Sequence, residues 1–219
     1  MSSNLMKRGR EVWSPDELAP ASAPFAKSRH LWAVVLAGGD GTRLQSLTLK
    51  ISGDERPKQF CPIINEHSLL SQTRARLEPL FHPDRELFVV TRAHETYYRE
   101  ELSNVDDSCV LPQPLNRGTG VAVALAILHI LQRDPDAVVV FAPCDHYYSD
   151  DDALRRAIKS MVSGAQRYPD SIVLLGAEAD YPEVEYGWIE RGSPVSHRPL
   201  SLMRVQRFWE KPKIRRKNT

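Results

Sequence analysis

The sequence predicts an α/β fold with a mainly parallel central sheet. Three observations carry this expectation. Short apolar runs that read as buried strands alternate with stretches of helical periodicity between residues 31 and 176. The first of these runs, residues 31–37, passes straight into a glycine-rich turn. The chain has 219 residues, enough for one α/β domain with a substantial core. No internal repeat is visible.

Residues 1–29 carry Pro15, Pro20 and Pro24, many small residues and no sustained periodicity, and read as a flexible leader. A short helix around residues 16–18, capped by Ser14 with Pro15 at its first position, is compatible with that stretch. Residues 31–37 (LWAVVLA) are apolar without interruption and form the first buried strand. Gly38, Gly39, Asp40, Gly41, Thr42 and Arg43 follow. Three glycines in four positions allow positive φ and keep Cβ atoms away from a ligand. Arg43 adds a forked cation suited to phosphate oxygens. This loop is a candidate for holding the phosphates of a nucleotide. It is not a Walker loop, because it ends in Gly-Thr-Arg, and not a dinucleotide fingerprint, because Leu44 stands where a small residue is required.

Residues 45–55 are polar and mixed, with Gly53-Asp54 as a turn signal, and read as a mobile surface loop. Pro57 and Pro62 bar a regular helix around Lys58, which follows a rigid proline and is well placed to aim a charge. Apolar spacing predicts a helix over residues 68–81. Residues 86–91 form a strand, 94–102 a short helix, and 109–111 a brief strand ending at Pro112. Residues 120–131 are a strongly apolar helix whose N-terminus lies at Arg117, Gly118 and Thr119 and offers N–H donors to a base or phosphate. His129 within it reads as a packed or rim histidine.

The strand over residues 137–142 runs into Pro143, Cys144, Asp145 and His146. Ligands in open α/β sheets collect at the carboxyl ends of strands, so Asp145 is placed to bind Mg²⁺ through oxygen. Asp150 to Asp152 are better placed to cap the following helix, 153–166. No second histidine or cysteine lies close enough to His146 to suggest zinc. Residues 171–176 (SIVLLG) read as another strand, 186–190 as a short strand with Gly187 where a ligand can approach, and 202–208 as a strand leading to Trp209, Glu210, Lys211 and Pro212. Glu210 suits a sugar hydroxyl and Lys211 a phosphate; alone, they equally form an exposed ion pair.

The totals exclude several classes. With 29 basic and 28 acidic residues the formal charge is +1, and nothing global favours nucleic acid or a membrane surface. Five cations near the end, Lys211 and the four after Pro212, are more in keeping with a solvated tail than a nucleic-acid contact. Cys61, Cys109 and Cys144 have neither metal-knuckle nor disulfide-framework spacing, so a reduced cytoplasm is the expected compartment. No apolar run approaches the roughly 20 residues that span a bilayer, and the N-terminus has no secretory core.

Six motifs occur in a fixed order: Leu36-Ala37-Gly38-Gly39-x-Gly41-Thr42-Arg43-Leu44, Pro57-Lys58-Gln59-Phe60, Asn116-Arg117-Gly118-Thr119, Pro143-x-Asp145-His146, Tyr186-Gly187-Trp188-Ile189-Glu190 and Phe208-Trp209-Glu210-Lys211-Pro212. In this the chain resembles the sugar-1-phosphate nucleotidyltransferases, most of all their mannose-1-phosphate guanylyltransferase branch, over residues 31–212. The resemblance implies a Rossmann-like three-layer domain over residues 30–212. It implies GTP and mannose 1-phosphate as substrates, Mg²⁺ as cofactor, and a homodimer as an open arrangement. It assigns nucleotide binding to Leu36, Ala37, Gly38, Gly39, Gly41, Thr42, Arg43 and the Asn116, Arg117, Gly118, Thr119 turn. It assigns catalysis to Arg43, Lys58 and Asp145, with Asp145 on the metal, and sugar-phosphate binding to Gly187, Glu210 and Lys211.

Departures from that pattern are local. The stretch between Leu44 and Pro57 is longer than the branch normally has, and Gln45-Ser46-Leu47-Thr48 replaces its Trp-Pro-Leu-Ser. Related enzymes continue beyond the equivalent of Pro212, where a second metal-binding aspartate and the rest of the sugar pocket are expected. Here residues 213–219 are basic and unpatterned, like the tail of a truncated or frame-shifted product. Two other readings therefore stand beside the enzyme: a non-catalytic nucleotide-binding remnant, and a thymidylyl- or uridylyltransferase acting on glucose 1-phosphate.

Overall fold

A computed structural model describes residues 28–181, 183–196 and 201–212. The leader and its short helix lie outside the described residues up to residue 27, as does the basic tail. The described residues fall into two compact units, divided between Arg155 and Arg156.

The first unit is built on β1 (Leu31–Leu36), β2 (Glu86–Thr91), β3 (Val110–Gln113) and β4 (Val138–Pro143), in the spatial order β3-β2-β1-β4 and all parallel. Leu31 to Val35 and all of β2 are buried, as expected of parallel strands covered on both faces. Ala122, Ala126 and Ile130 of α4 (Thr119–Leu131) pack with Trp32, Val34, Leu87 and Val89 in one core cluster. Trp32 anchors the amino end of β1. Its indole N–H donates to Asp134 at 2.8 Å, and the guanidinium carbons of Arg85 and Arg133 stand 4.8 and 4.9 Å from its ring. Such contacts couple burial to fixed charge.

Ser68 starts α2 (Leu69–Leu77), its hydroxyl accepting from the Ser71 amide at 3.0 Å. Asp150 does the same for α5 (Asp151–Arg167), accepting from the Ala153 amide at 2.8 Å. The short helix α3 (Glu95–Glu101) follows β2 as expected.

Two expectations are corrected here. Residues 45–55 are not a loop: α1 (Gln45–Ser52) occupies most of them. No proline interrupts this stretch, and Gly53 is the helix stop rather than an independent turn. Gly53 takes φ 76° and its amide donates to the Leu49 carbonyl at 2.9 Å. Residues 171–176 form no strand; Ile172 is 90% exposed. An apolar run becomes a strand only where a neighbour satisfies its backbone, and no described strand pairs with it. A smaller difference is that β3 runs through Pro112 to Gln113, which an edge position tolerates.

The second unit contains β5 (Gly187–Ser196) and β6 (Leu202–Glu210), an antiparallel pair with Gly187 opposite Glu210 and Trp188 opposite Trp209. Both strands extend further than their apolar residues indicated. No described helix is long and apolar enough to cross a membrane.

Candidate active site

The carboxyl ends of β1, β2, β3 and β4 gather the candidate residues of the first unit. Beyond β1, the Ala37 amide still donates to the Val89 carbonyl at 2.9 Å, and the chain then leaves the sheet. A Cβ on Gly38 would lie 2.9 Å from Gln113 Nε2 and 3.1 Å from Thr91 Oγ1, so a larger residue there would have to displace both side chains. Gly41 has φ +66°, and a Cβ on it would lie 3.0 Å from the Lys58 amide nitrogen and 3.3 Å from Pro57 Cα. The Pro57-Lys58 turn is therefore packed directly against the glycine loop. A Cβ on Gly39 would meet nothing, which leaves that face of the loop accessible to a ligand.

Three loop carbonyls are held by side chains. Gln59, buried, donates from Nε2 to the Ala37 carbonyl at 2.9 Å and the Gly39 carbonyl at 2.7 Å. The Thr91 hydroxyl donates to the Gly38 carbonyl at 2.7 Å. In a planar trans peptide the carbonyl and the next N–H point in opposite directions. The N–H groups of Gly38, Gly39 and Asp40 are thus directed away from the side chains that hold the carbonyls. That is how a loop presents donors to an anion. Arg43 lies on the single helical turn Thr42–Leu44 and is exposed.

The β1–β4 register places Leu36 beside Pro143, so Asp145 emerges next to the loop. Lys58 Nζ lies 2.5 Å from Asp145 Oδ2, and both side chains are 31% exposed. Burial works to raise the Asp145 pKa, but the hydrogen bond and charge of Lys58, with His146 adding, hold it below the usual carboxylate value. Asp145 is therefore an anion. Burial pushes the neighbouring Cys144 thiol far up, which removes it as a nucleophile. On the other flank, the Asn116 side-chain amide donates to Asp40 Oδ2 at 3.0 Å, and Asn116 Oδ1 accepts from the Gly118 amide at 3.0 Å. Gly118, with φ 87°, begins α4; Arg117 and Thr119 on either side are exposed.

A nucleotidyl transferase family model matches residues 32–219. The chain belongs to this family. Among curated relatives of this nucleotidyl transferase, the alginate biosynthesis protein AlgA of Pseudomonas fluorescens is 36% identical over 186 residues, 84% of this chain and 37% of that protein. A mannose-1-phosphate guanylyltransferase of Escherichia coli is 29% identical over 83% of this chain and 38% of its own length. The chain thus spans well under half the length of the curated relatives it matches. Among solved structures, a mannose-1-phosphate geranyltransferase from Thermus thermophilus superposes with a TM-score of 0.67 at 31% identity, covering 84% of this chain and 51% of that one. The Rossmann-like α/β fold is accordingly shared.

The structure brings together Leu36 to Arg43, Lys58, Asp145 and Asn116 to Thr119. Gly187, Glu210 and Lys211 lie in the second unit, at the paired ends of β5 and β6. A Cβ on Gly187 would stand 2.5 Å from a Phe208 ring carbon, so a larger residue there would have to displace the exposed Phe208 ring. Glu210 and Lys211 are exposed, and Lys211 takes φ 42°, a left-handed conformation unfavourable to a side chain. Sequence reasoning gave no role to Gln59, Thr91 or Gln113. One signal for the last two was available: each is a polar residue at the carboxyl end of a strand, directly after apolar residues.

No group of three or more His, Cys, Asp or Glu among the described residues can hold a metal. A lone anionic Asp145 fits an ion that arrives with most of its oxygen ligands, as Mg²⁺ does on phosphates, and does not fit an all-protein cage.

Proposed function

We propose that this nucleotidyl transferase moves a guanylyl group from GTP to mannose 1-phosphate, forming GDP-mannose and pyrophosphate with Mg²⁺. A phosphate oxygen of the sugar phosphate attacks the α-phosphorus of GTP, and the bond from that phosphorus to the bridging oxygen breaks as pyrophosphate departs. A sugar phosphate is already a nucleophile near neutrality, its second pKa being about 6, so the site needs no general base. Its work is alignment and charge compensation. The loop N–H groups and Arg43 receive the departing pyrophosphate, Lys58 meets the α-phosphate, and the Asn116 to Thr119 turn receives the base. Asp145 would hold Mg²⁺, which when bound offsets charge on the phosphate oxygens. The sugar phosphate is assigned to Gly187, Glu210 and Lys211, by resemblance to the family. The cytoplasm, where both substrates are soluble metabolites, is the compartment this reading requires.

The observation that carries the proposal is the loop clamped by Gln59 and Thr91 beside the Lys58–Asp145 pair. The test is pyrophosphate release from the full chain with GTP, mannose 1-phosphate and Mg²⁺, run in parallel with the other three nucleoside triphosphates and with glucose 1-phosphate. Preference for GTP with mannose 1-phosphate supports the proposal. Preference for thymidine or uridine triphosphate with glucose 1-phosphate moves the chain to another branch. Nucleotide binding without pyrophosphate release leaves a binding protein.

A further inference from the structure

Asp40 is an anomaly in a loop assigned to phosphates, since a carboxylate between Gly39 and Gly41 repels the ligand. Its surroundings account for it. His94 closes the single helical turn Arg92–His94 after β2 and is 9% exposed. Its Nε2 lies 3.8 Å from Asp40 Oδ1. Its Nδ1 is buried and has no hydrogen-bond partner. Phe60, from the Lys58–Phe60 turn, meets the imidazole edge-on with ring centroids 6.2 Å apart. The imidazole is thus confined on one side by the turn that carries Lys58, and its other nitrogen faces the loop carboxylate. The second Asp40 oxygen takes the Asn116 amide, and Asn116 in turn takes the Gly118 N–H. One continuous series of side chains therefore runs from a buried histidine, through the centre of the phosphate loop, to the N-terminus of α4.

We infer that Asp40 is a positioning residue that fastens the phosphate loop to the base-binding turn, with His94 as its buried backing. This rests on the proposed assignment of those two segments to the phosphates and base of one nucleotide. Asp40 then fixes the distance between the two subsites before the ligand arrives. Its repulsion of phosphate is offset by avoiding the cost of ordering two loops on binding. Under the proposed roles the series belongs to the nucleotide subsites, so its effect is expected on GTP and not on the KM for the sugar phosphate.

The test measures GTP affinity by calorimetry, with Mg²⁺, for the full chain and for Asp40→Ala, Asp40→Asn and Asp40→Ser, each checked for folding by thermal melting. Asp40→Ala is expected to weaken GTP binding about 10-fold, in keeping with one charge-assisted hydrogen bond. Asp40→Asn retains the acceptor oxygen and is expected to stay within about 3-fold of the parent. Asp40→Ser is too short to reach Asn116 and follows the alanine variant, so it serves if Asp40→Ala fails to fold. Without nucleotide, amide exchange at residues 118–121 should quicken in the alanine and serine variants alone. Unchanged or tighter GTP binding in the alanine or serine variant overturns the inference while leaving the proposed function intact. Failure of the parent chain to bind any nucleoside triphosphate overturns the proposed function, and the inference with it.

Discussion

The two sets of candidate residues are held in opposite ways. Around Gly38 to Gly41 nearly every degree of freedom is assigned: Gln59 and Thr91 hold three carbonyls, the Pro57-Lys58 turn fills the space beside Gly41, and Gln113 closes the space behind Gly38. Glu210 ends an antiparallel pair and Lys211 follows just beyond it, both exposed, with the ladder reaching the backbone of Glu210. The first arrangement meets its ligand already shaped. In the second, the backbone is set and the long side chains still have rotamer entropy to lose. Under the proposed function this difference predicts that the set assigned to the nucleotide is intolerant of substitution and the set assigned to the sugar phosphate tolerant.

The largest effects should come from the charges of the first set. Arg43→Ala and Asp145→Ala are each expected to lower pyrophosphate release by at least about 10²-fold, the size of one preorganised charge contact. Near-normal turnover of either variant would remove that residue from the mechanism. Gln59→Leu should leave two loop carbonyls without their buried donor, costing about 1–3 kcal/mol of stability. It should weaken GTP binding about 10-fold, and a melt and a titration on one sample check both. Gly41→Ala and Gly53→Ala form a matched pair, because both glycines have left-handed φ but only Gly41 faces a neighbour. Gly53→Ala should lose about 1 kcal/mol in chemical denaturation and Gly41→Ala more, because its Cβ also crowds the Lys58 backbone; only Gly41→Ala should also weaken GTP binding, and equal affinities would break the comparison.

Lys211→Ala should raise the KM for mannose 1-phosphate several-fold and leave GTP affinity within about 2-fold, a charge contact made in solvent being modest. The smallest effect concerns pH. Burial lowers the His94 pKa, and the nearby Asp40 charge opposes this only in part. Below its unfolded value of about 6.5 the unfolded chain therefore binds more protons at this site than the folded chain. Its contribution to stability is complete above that pH and declines as pH falls through the window below it. The urea midpoint should drop between about pH 7.5 and pH 5.5 in the parent chain, and drop less in His94→Gln. An identical drop would show that other groups set the slope.

The elements that position the first set were legible where one local signal sufficed. β1, β2 and β4 follow from their short apolar runs, α4 from an apolar run too long for a strand, and α5 from the aspartates that open it. α1 was hidden because its exposed Leu47, Leu49 and Ile51 do not form an apolar stripe, so a periodicity reading finds nothing there. Residues 171–176 carry the same signature as β1, yet strand formation is settled by partners that a local reading does not see. The glycine loop, Lys58 and Asp145 stood out through their residue types. Gln59 did not, because its importance is a contact with residues 20 and 22 positions earlier. His94 and Asp40 likewise acquire meaning only once the fold brings their segments together.

Pro112 makes the two margins of the described parallel sheet unlike. β3 is its outer strand, and Pro112 has no N–H, nor has Pro114 two residues on, on the same side of an extended chain. A strand arriving at that margin would find neighbouring donor positions blank, a natural guard against unwanted pairing. β4 forms the opposite margin of the described sheet and has no such interruption before Pro143. Of the two margins of the described sheet, that of β4 keeps its backbone donors through Ala142, on the flank from which Asp145 emerges.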